Sequence, residues 1–253
     1  MADSKEQLFS DFTAPSRQEW RDKIEVDLKG ADYQKKMVWR TNEGFSMEPF
    51  YRKEDVDKLP LVNALPGEFP YVRGNKAADN EWFVRQDIQC ECPNEANAKA
   101  LDILGRGVTS LGLRIPAEKV SADYLEQLLQ GIYVDCVELN FVTCQRKTLE
   151  LAQLLVAYFQ KKGIDPQKVE GSISFDPIEK IIMRGKDTSD ILQNAKALVE
   201  TFASYPKFRP IAVNAYKLTN AGAYSYQDLG YALAWGNEYL AELTEAGIEP
   251  ELA

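Results

Sequence analysis

Histidine is absent from the 253 residues. Its absence removes the side chain most used for general acid–base work, the commonest metal ligand and the usual lower axial ligand of a corrin or haem. Chemistry carried by this chain alone falls to carboxylates, lysine, tyrosine or cysteine. Apolar runs approaching the roughly 18 residues that cross a bilayer are also missing. The opening MADSKEQLFSDF is polar and acidic, unlike a secretory signal, so a cytoplasmic protein without membrane contact is expected. No Gly-x-Gly-x-x-Gly follows any predicted strand and no P-loop occurs, which leaves a dinucleotide-binding sheet unsupported. Positive charge is scarce: 30 basic against 39 acidic residues give −9, which argues against a general nucleic-acid surface. Cysteine is limited to Cys90, Cys92, Cys136 and Cys144, read as reduced thiols in a cytosolic chain.

What is present is an ordinary globular composition, 45% hydrophobic and 27% charged, with enough apolar material for a sizeable core. Ser16-Arg17-Gln18-Glu19 has the form of a capping box, and Trp20, Ile24 and Leu28 recur at helical spacing up to Gly30. From Val38 to Gly74 the text is irregular, with aromatic-apolar pieces and a proline-rich stretch from Pro60 to Pro70. Residues 1–80 therefore read as a helix plus an extended arm with little core of its own, the kind of segment that lies on another surface.

A regular alternation follows over residues 81–253. Strands are expected at Trp82–Gln86, Val108–Ile115, Tyr133–Phe141, Gly171–Phe175 and Arg209–Asn214. Helices are expected at Asn94–Leu104, Ala122–Leu129 with Ser121 as cap, Lys147–Lys161, Asp190–Phe202 and Tyr226–Glu245. Such alternation predicts right-handed βαβ units and a parallel sheet. Five β/α units fit either an open doubly wound sheet or part of a (β/α)₈ TIM barrel. The partial barrel is the preferred reading, and its unpaired fifth strand predicts self-association.

Several passages resemble the adenosylcobalamin-dependent acyl-CoA mutases, methylmalonyl-CoA mutase above all. Val26-Asp27-Leu28-Lys29-Gly30, Met37-Val38-Trp39-Arg40-Thr41 and Glu43-Gly44 to Pro49 lie in the arm. Pro66-Gly67-Glu68-Phe69-Pro70-Tyr71-Val72-Arg73-Gly74 is similar to the segment leading to the family's first barrel strand, and Val84-Arg85-Gln86 to that strand. Asn220-Ala221-Gly222-Ala223 and Tyr231-Ala232-Leu233-Ala234 resemble the fifth strand-to-helix passage. The resemblance implies a (β/α)₈ barrel that takes an acyl-CoA through its centre, a cobalamin-binding domain far downstream, and an arm that packs on a partner subunit.

Two departures bear on function. Catalytic subunits of the family carry Tyr after the Arg-Gln pair, and this chain has Asp87. They carry His after the Tyr of the fifth strand end, and here Lys217 follows Tyr216. Asp87 brings a negative charge where a thioester and a radical need an apolar pocket. Lys217 is a flexible point charge in place of a fixed imidazole. The resemblance therefore implies a small, non-catalytic subunit of a heterodimeric methylmalonyl-CoA mutase, with a large catalytic subunit as partner. The assembly would interconvert succinyl-CoA and (R)-methylmalonyl-CoA in propionate metabolism, with adenosylcobalamin in the assembled enzyme and none on this chain alone. Two other readings stay open: an active mutase subunit with altered substrate choice, and an unrelated α/β-barrel enzyme using Lys217 as a Schiff-base amine.

Asp87 and Lys217 are accordingly degenerate positions, with an ion pair between them one arrangement and solvent exposure the other. Arg85, Tyr216 and Asn220 are vestigial barrel-mouth candidates at strand ends. Arg85 and Arg73 as phosphate clamps are weighed against structural ion pairs. Cys90, Cys92 and Cys144 as a thiolate site are weighed against incidental thiols, and no metal is expected. Asp176-Pro177 and Asp187-Thr188-Ser189-Asp190 read as cap chemistry, and Trp235 with Tyr239 as core or interface.

Overall fold

The computed structural model describes residues 9–187 and 193–252. The chain divides into two compact units, Met1–Asn80 and Glu81–Ala253.

The first unit is built from local structure. Helix α1 (Arg17–Asp27) starts at a complete capping box: Ser16 Oγ accepts from Glu19 N, and the Ser16 amide donates to the Glu19 carboxylate. Short helices α2 (Tyr33–Lys36) and α3 (Lys53–Val56) flank an antiparallel hairpin of β1 (Trp39–Arg40) and β2 (Ser46–Met47). Trp20 packs on Phe50 at 3.9 Å between ring centroids, and Arg21 lies 4.6 Å over the Tyr33 ring. Among the described residues of this unit no apolar side chain is buried.

The second unit is a mixed α/β fold around a five-stranded parallel sheet. Its strands are β3 (Arg85–Gln89), β4 (Ser110–Arg114), β5 (Glu138–Val142), β6 (Gly171–Ile173) and β7 (Phe208–Arg209), in the spatial order β3-β4-β5-β6-β7. The order never reverses, so the sheet has no switch point of the kind that marks doubly wound folds. Helices α4 (Pro93–Leu104), α5 (Ala122–Leu128), α6 (Thr148–Lys161) and α8 (Asn194–Thr201) pack each on the next, α4 on α5, α5 on α6, α6 on α8. They follow the strand order along one face.

Side-chain alternation makes that face apolar. Ile88, Leu111, Leu113, Leu139, Phe141 and Ile173 point toward the helices and are 2% exposed or less. They meet Ala100, Leu125, Leu128, Leu151, Leu155, Phe159 and Leu198 in one core. The opposite face carries Arg85, Asp87, Ser110, Glu138, Asn140, Ser172 and Arg209, an unusual polar surface for a parallel sheet, whose two faces are normally both apolar.

Three further helices complete the unit: α7 (Pro177–Arg184), α9 (Tyr216–Asn220) and α10 (Ser225–Glu245). Asp176 caps α7 through Glu179 N at 3.3 Å with Pro177 at the first helical position, so the cap signal opens a helix that periodicity alone does not reveal. The ladder at β3 begins three residues after the expected start, because Trp82, Phe83 and Val84 are exposed and the strand's buried residue is Ile88. Likewise Tyr133 to Val137 form a turn closed by Cys136 N to Tyr133 O, and β5 starts at Glu138. The expected first turn of the helix ending near Phe202, and Thr188, Ser189 and Asp190, lie outside the described residues. No helix among the described residues is long and apolar enough to cross a membrane.

Candidate functional site

At the carboxyl ends of the strands the polar face opens into a cavity of about 590 Å³. That is the end of a parallel sheet where α/β proteins place binding chemistry. Arg85, Asp87, Arg114, Asn140, Ser172, Glu179, Asn214, Tyr216 and Lys217 are among its lining residues. The sequence-selected Arg85, Asp87, Tyr216 and Lys217 thus share one cavity. Asn220, at the end of α9, is exposed and lies outside the lining.

The lining residues Asn140 and Ser172 belong to a continuous hydrogen-bonded network on the same face of the sheet. Arg209 Nη2 donates to Glu138 Oε1 at 3.0 Å, and Ser110 Oγ donates to Glu138 Oε2. Asn140 Nδ2 reaches Glu138 Oε2 at 3.0 Å and Ser110 Oγ at 3.1 Å, while Ser172 Oγ donates to Asn140 Oδ1 at 2.6 Å. The nearly buried Glu138 is therefore both ion-paired and hydrogen-bonded, the condition under which a carboxylate is tolerated inside.

Asp87 occupies a slot on this face. Its register partner on β4 is Gly112, where an added Cβ would sit 1.7 Å from Asp87 Oδ1. A glycine inside a strand marks close approach, and here it makes room for the carboxylate. Asp87 Oδ1 accepts from Arg85 Nε at 2.8 Å, so its ion pair is formed with a neighbour on its own strand. Lys217 pairs elsewhere, with Glu179 Oε1 at 3.8 Å, and lies 4.9 Å over the Tyr216 ring. Hydrogen bonding to Tyr216 and the charge of Glu179 hold its amine proton more tightly than in an ordinary lysine. A Schiff-base lysine needs the opposite shift, toward the free amine.

Beside the cavity lies a carboxylate that sequence reasoning assigned only to capping. Asp176 is fully buried, and Oδ1 accepts from Tyr239 OH at 2.7 Å, Trp235 Nε1 at 3.0 Å and Glu179 N. Oδ2 accepts from Asn214 N and Asn214 Nδ2, both at 2.8 Å. Burial pushes the Asp176 carboxyl up, against the pull of these donors. Trp235 and Tyr239, expected as core or interface from their i, i+4 spacing, are buried, and both also bond to this carboxylate. The spacing pointed to a shared face; the polar tips of two buried aromatics were the available hint of a buried acceptor.

Arg73 donates from Nη2 to Val62 O at 2.8 Å in the first unit. Cys90 is buried and its thiol is pushed up to about 11, Cys92 is half-buried, and Cys136 and Cys144 are exposed. Among the described residues no three of the Cys, Asp and Glu side chains are grouped as metal ligands.

A sequence model of the family described as methylmalonyl-CoA mutase matches residues 40–119 and 119–252, most of the chain. The chain belongs to the methylmalonyl-CoA mutase family. It is 47% identical over 252 residues to the methylmalonyl-CoA mutase small subunit of Porphyromonas gingivalis, covering 99% of this chain and 41% of that protein. It is 27% identical to the small subunit of Streptomyces virginiae, over 97% of this chain and 41% of the relative. With the large subunit of the same organism it shares 24% identity over 92% of this chain and 36% of the relative. The chain thus spans about two fifths of the length of these methylmalonyl-CoA mutase subunits.

Proposed function

We propose that this chain is the amino-terminal part of the small subunit of an adenosylcobalamin-dependent methylmalonyl-CoA mutase. It is a non-catalytic partner that supports the large, catalytic subunit in a cytoplasmic heterodimer, and residues 1–80 supply contact with that subunit. The five-stranded arc, consecutive in order and helix-covered on one face, is read as the first five units of a (β/α)₈ barrel whose lumen is the polar face.

The observation that carries this reading is the seat of Asp87. The Arg85–Asp87 pair lies along β3, with Asp87 beside Gly112 of β4, at the position where catalytic subunits of the family have a tyrosine beside the reacting acyl group. A solvent-exposed ion pair there makes the mouth polar, and radical chemistry calls for a dry, apolar one. The chain has no histidine to serve as an axial ligand, and on the cavity wall Arg85 pairs with Asp87 and Lys217 with Glu179. Adenosylcobalamin and the acyl-CoA isomerisation belong to the assembled enzyme, and no step is assigned to this chain.

Sedimentation of the purified chain, alone and with a purified large mutase subunit, tests the reading. A stable one-to-one complex is expected; a well-folded chain that does not associate would sink it. The double substitution Asp87→Tyr, Lys217→His in the isolated chain is expected to give no adenosylcobalamin-dependent turnover. Turnover by that variant would favour the alternative of an active subunit with altered substrate choice.

A further inference from the structure

Asp176 ties together elements far apart in the chain. Its carboxylate stands between α10, which presents Trp235 Nε1 and Tyr239 OH to Oδ1, and the segment after β7, which presents both nitrogens of Asn214 to Oδ2. The same Oδ1 caps α7 through Glu179 N. Two routes lead from there to Lys217. Its backbone amide donates to Asn214 O at 3.1 Å, and its ammonium faces Glu179 Oε1 at 3.8 Å. Asn214, Glu179 and Lys217 all line the cavity, whereas Trp235 and Tyr239 do not.

We propose that Asp176 is a positioning residue: it couples helix α10 to the cavity wall that carries Glu179, Asn214 and Lys217. All five donors are neutral groups, and each oxygen is filled from a different side, Oδ1 by α10 and α7 and Oδ2 by Asn214. A fully buried carboxylate cannot exchange these donors for water without a large penalty. Loss of a donor on the α10 side therefore leaves Oδ1 undersatisfied. The carboxylate relieves this by rotating, which breaks the paired geometry at Oδ2 and frees the Asn214–Lys217 segment. Displacement of α10 is in this way felt at Lys217 by a route additional to the direct packing of α10 on α9, where Leu218 packs against the cluster that holds Trp235 and Tyr239 and Thr219 Oγ1 donates to Asp228 Oδ2. The coupling is independent of the partner assignment, since every contact in it lies within the second unit.

The test is the rate at which Lys217 is acylated by a limiting dose of acetic anhydride in the full chain, read by peptide mass spectrometry and normalised to Lys161. Tyr239→Phe removes the hydroxyl that donates to Asp176 Oδ1 and accepts from Ile178 N, and is expected to raise the Lys217 rate several-fold. Asn214→Ala, which takes the side-chain donor from Oδ2 and leaves the backbone amide, is expected to do the same. Leu243→Ala is the control: Leu243 is a core residue of the same helix with 2% exposure, so its truncation destabilises the unit without touching Asp176, and the Lys217 rate is expected to stay at the wild-type value. An unchanged rate in Tyr239→Phe, or an equal rise in Leu243→Ala at matched stability, overturns the proposal.

Discussion

Cys90 shows how much burial decides at a single side chain. The thiol is wholly enclosed and desolvation pushes it up to about 11, so at pH 8 it carries almost no thiolate, the reactive form. Cys136 and Cys144 stand in solvent. Timed alkylation with iodoacetamide at pH 8, followed by peptide mapping, is expected to label those two first and Cys90 last, only as the fold opens. Early labelling of Cys90 would contradict its enclosure. Two strand glycines differ in the same physical way. At Gly171 an added Cβ would fall 1.9 Å from Leu139 O, a backbone atom that cannot step aside, while at Gly112 it meets the end of the Asp87 side chain. Gly171→Ala is expected to lose about 3 kcal/mol or more and Gly112→Ala about 1 kcal/mol in urea unfolding. Asp87→Ala should restore the loss in Gly112→Ala, since it removes the clashing carboxylate.

Asp176 adds a pH dependence with a definite sign. Its folded carboxyl holds a proton more tightly than the unfolded one, because burial outweighs its hydrogen bonds. Its contribution is therefore full below the unfolded value of about 3.9 and is lost as pH rises through the raised folded value. Relative to Asp176→Asn, which does not titrate, wild type should gain stability as pH is lowered from 7 toward about 4. Urea midpoints of both proteins across that range check the slope, and a gap that shrinks on acidification would reverse the assignment.

At the scale of elements, the helices are held in different ways. Helix α1 buries no residue, so its capping box weighs heavily: Ser16→Ala is expected to cost about 1 kcal/mol locally, visible as faster amide exchange over residues 17–27. Helix α6 depends on its core face. Phe159, with no exposure and its ring 5.7 Å from that of Tyr205, anchors it, and Phe159→Ala should cost about 3–5 kcal/mol. The same contrast explains what the sequence made legible. Amphipathic helices such as α4, α5 and α6 announce themselves by period, and α5 also by its Ser121 cap. The first four strands are legible to within a few residues, shifted where β3 and β5 carry Arg, Asp, Glu and Asn on one face and apolar runs such as Trp82–Val84 lie just outside the ladder; the expected fifth strand, Arg209–Asn214, meets β7 only at Arg209. The short helices α7 and α9 have too few turns to show a period. In the candidate site, Asp87 and Lys217 stand out as departures from the pattern of the resembled family, and Arg85 and Tyr216 as their neighbours in the chain; the structure places Tyr216 and Lys217 on α9 rather than at a strand end. Gly112, Glu138, Asn140 and Arg209 did not, because cross-strand register rather than spacing along the chain brings them together.

For the whole molecule, the contrast between its two units argues most about partnership. The second unit encloses a continuous core beneath five strands. Among the described residues of the first there is none, and Phe9, Trp39, Leu65 and Phe69 are each more than half exposed, Phe69 at 85%. Exposed apolar side chains of this kind are what the partner contact proposed for residues 1–80 would cover. A segment without a core opens locally at little free-energy cost, so in the isolated chain amides of residues 9–80 should exchange within seconds to minutes while those of β4 and β5 stay protected. Adding a large methylmalonyl-CoA mutase subunit should slow exchange across residues 9–80, because binding removes the open states from the ensemble. Protection confined to the strand unit, with residues 9–80 unchanged, would mean that the exposed side chains of the first unit do not form the contact, and the partner role proposed for that unit would fall.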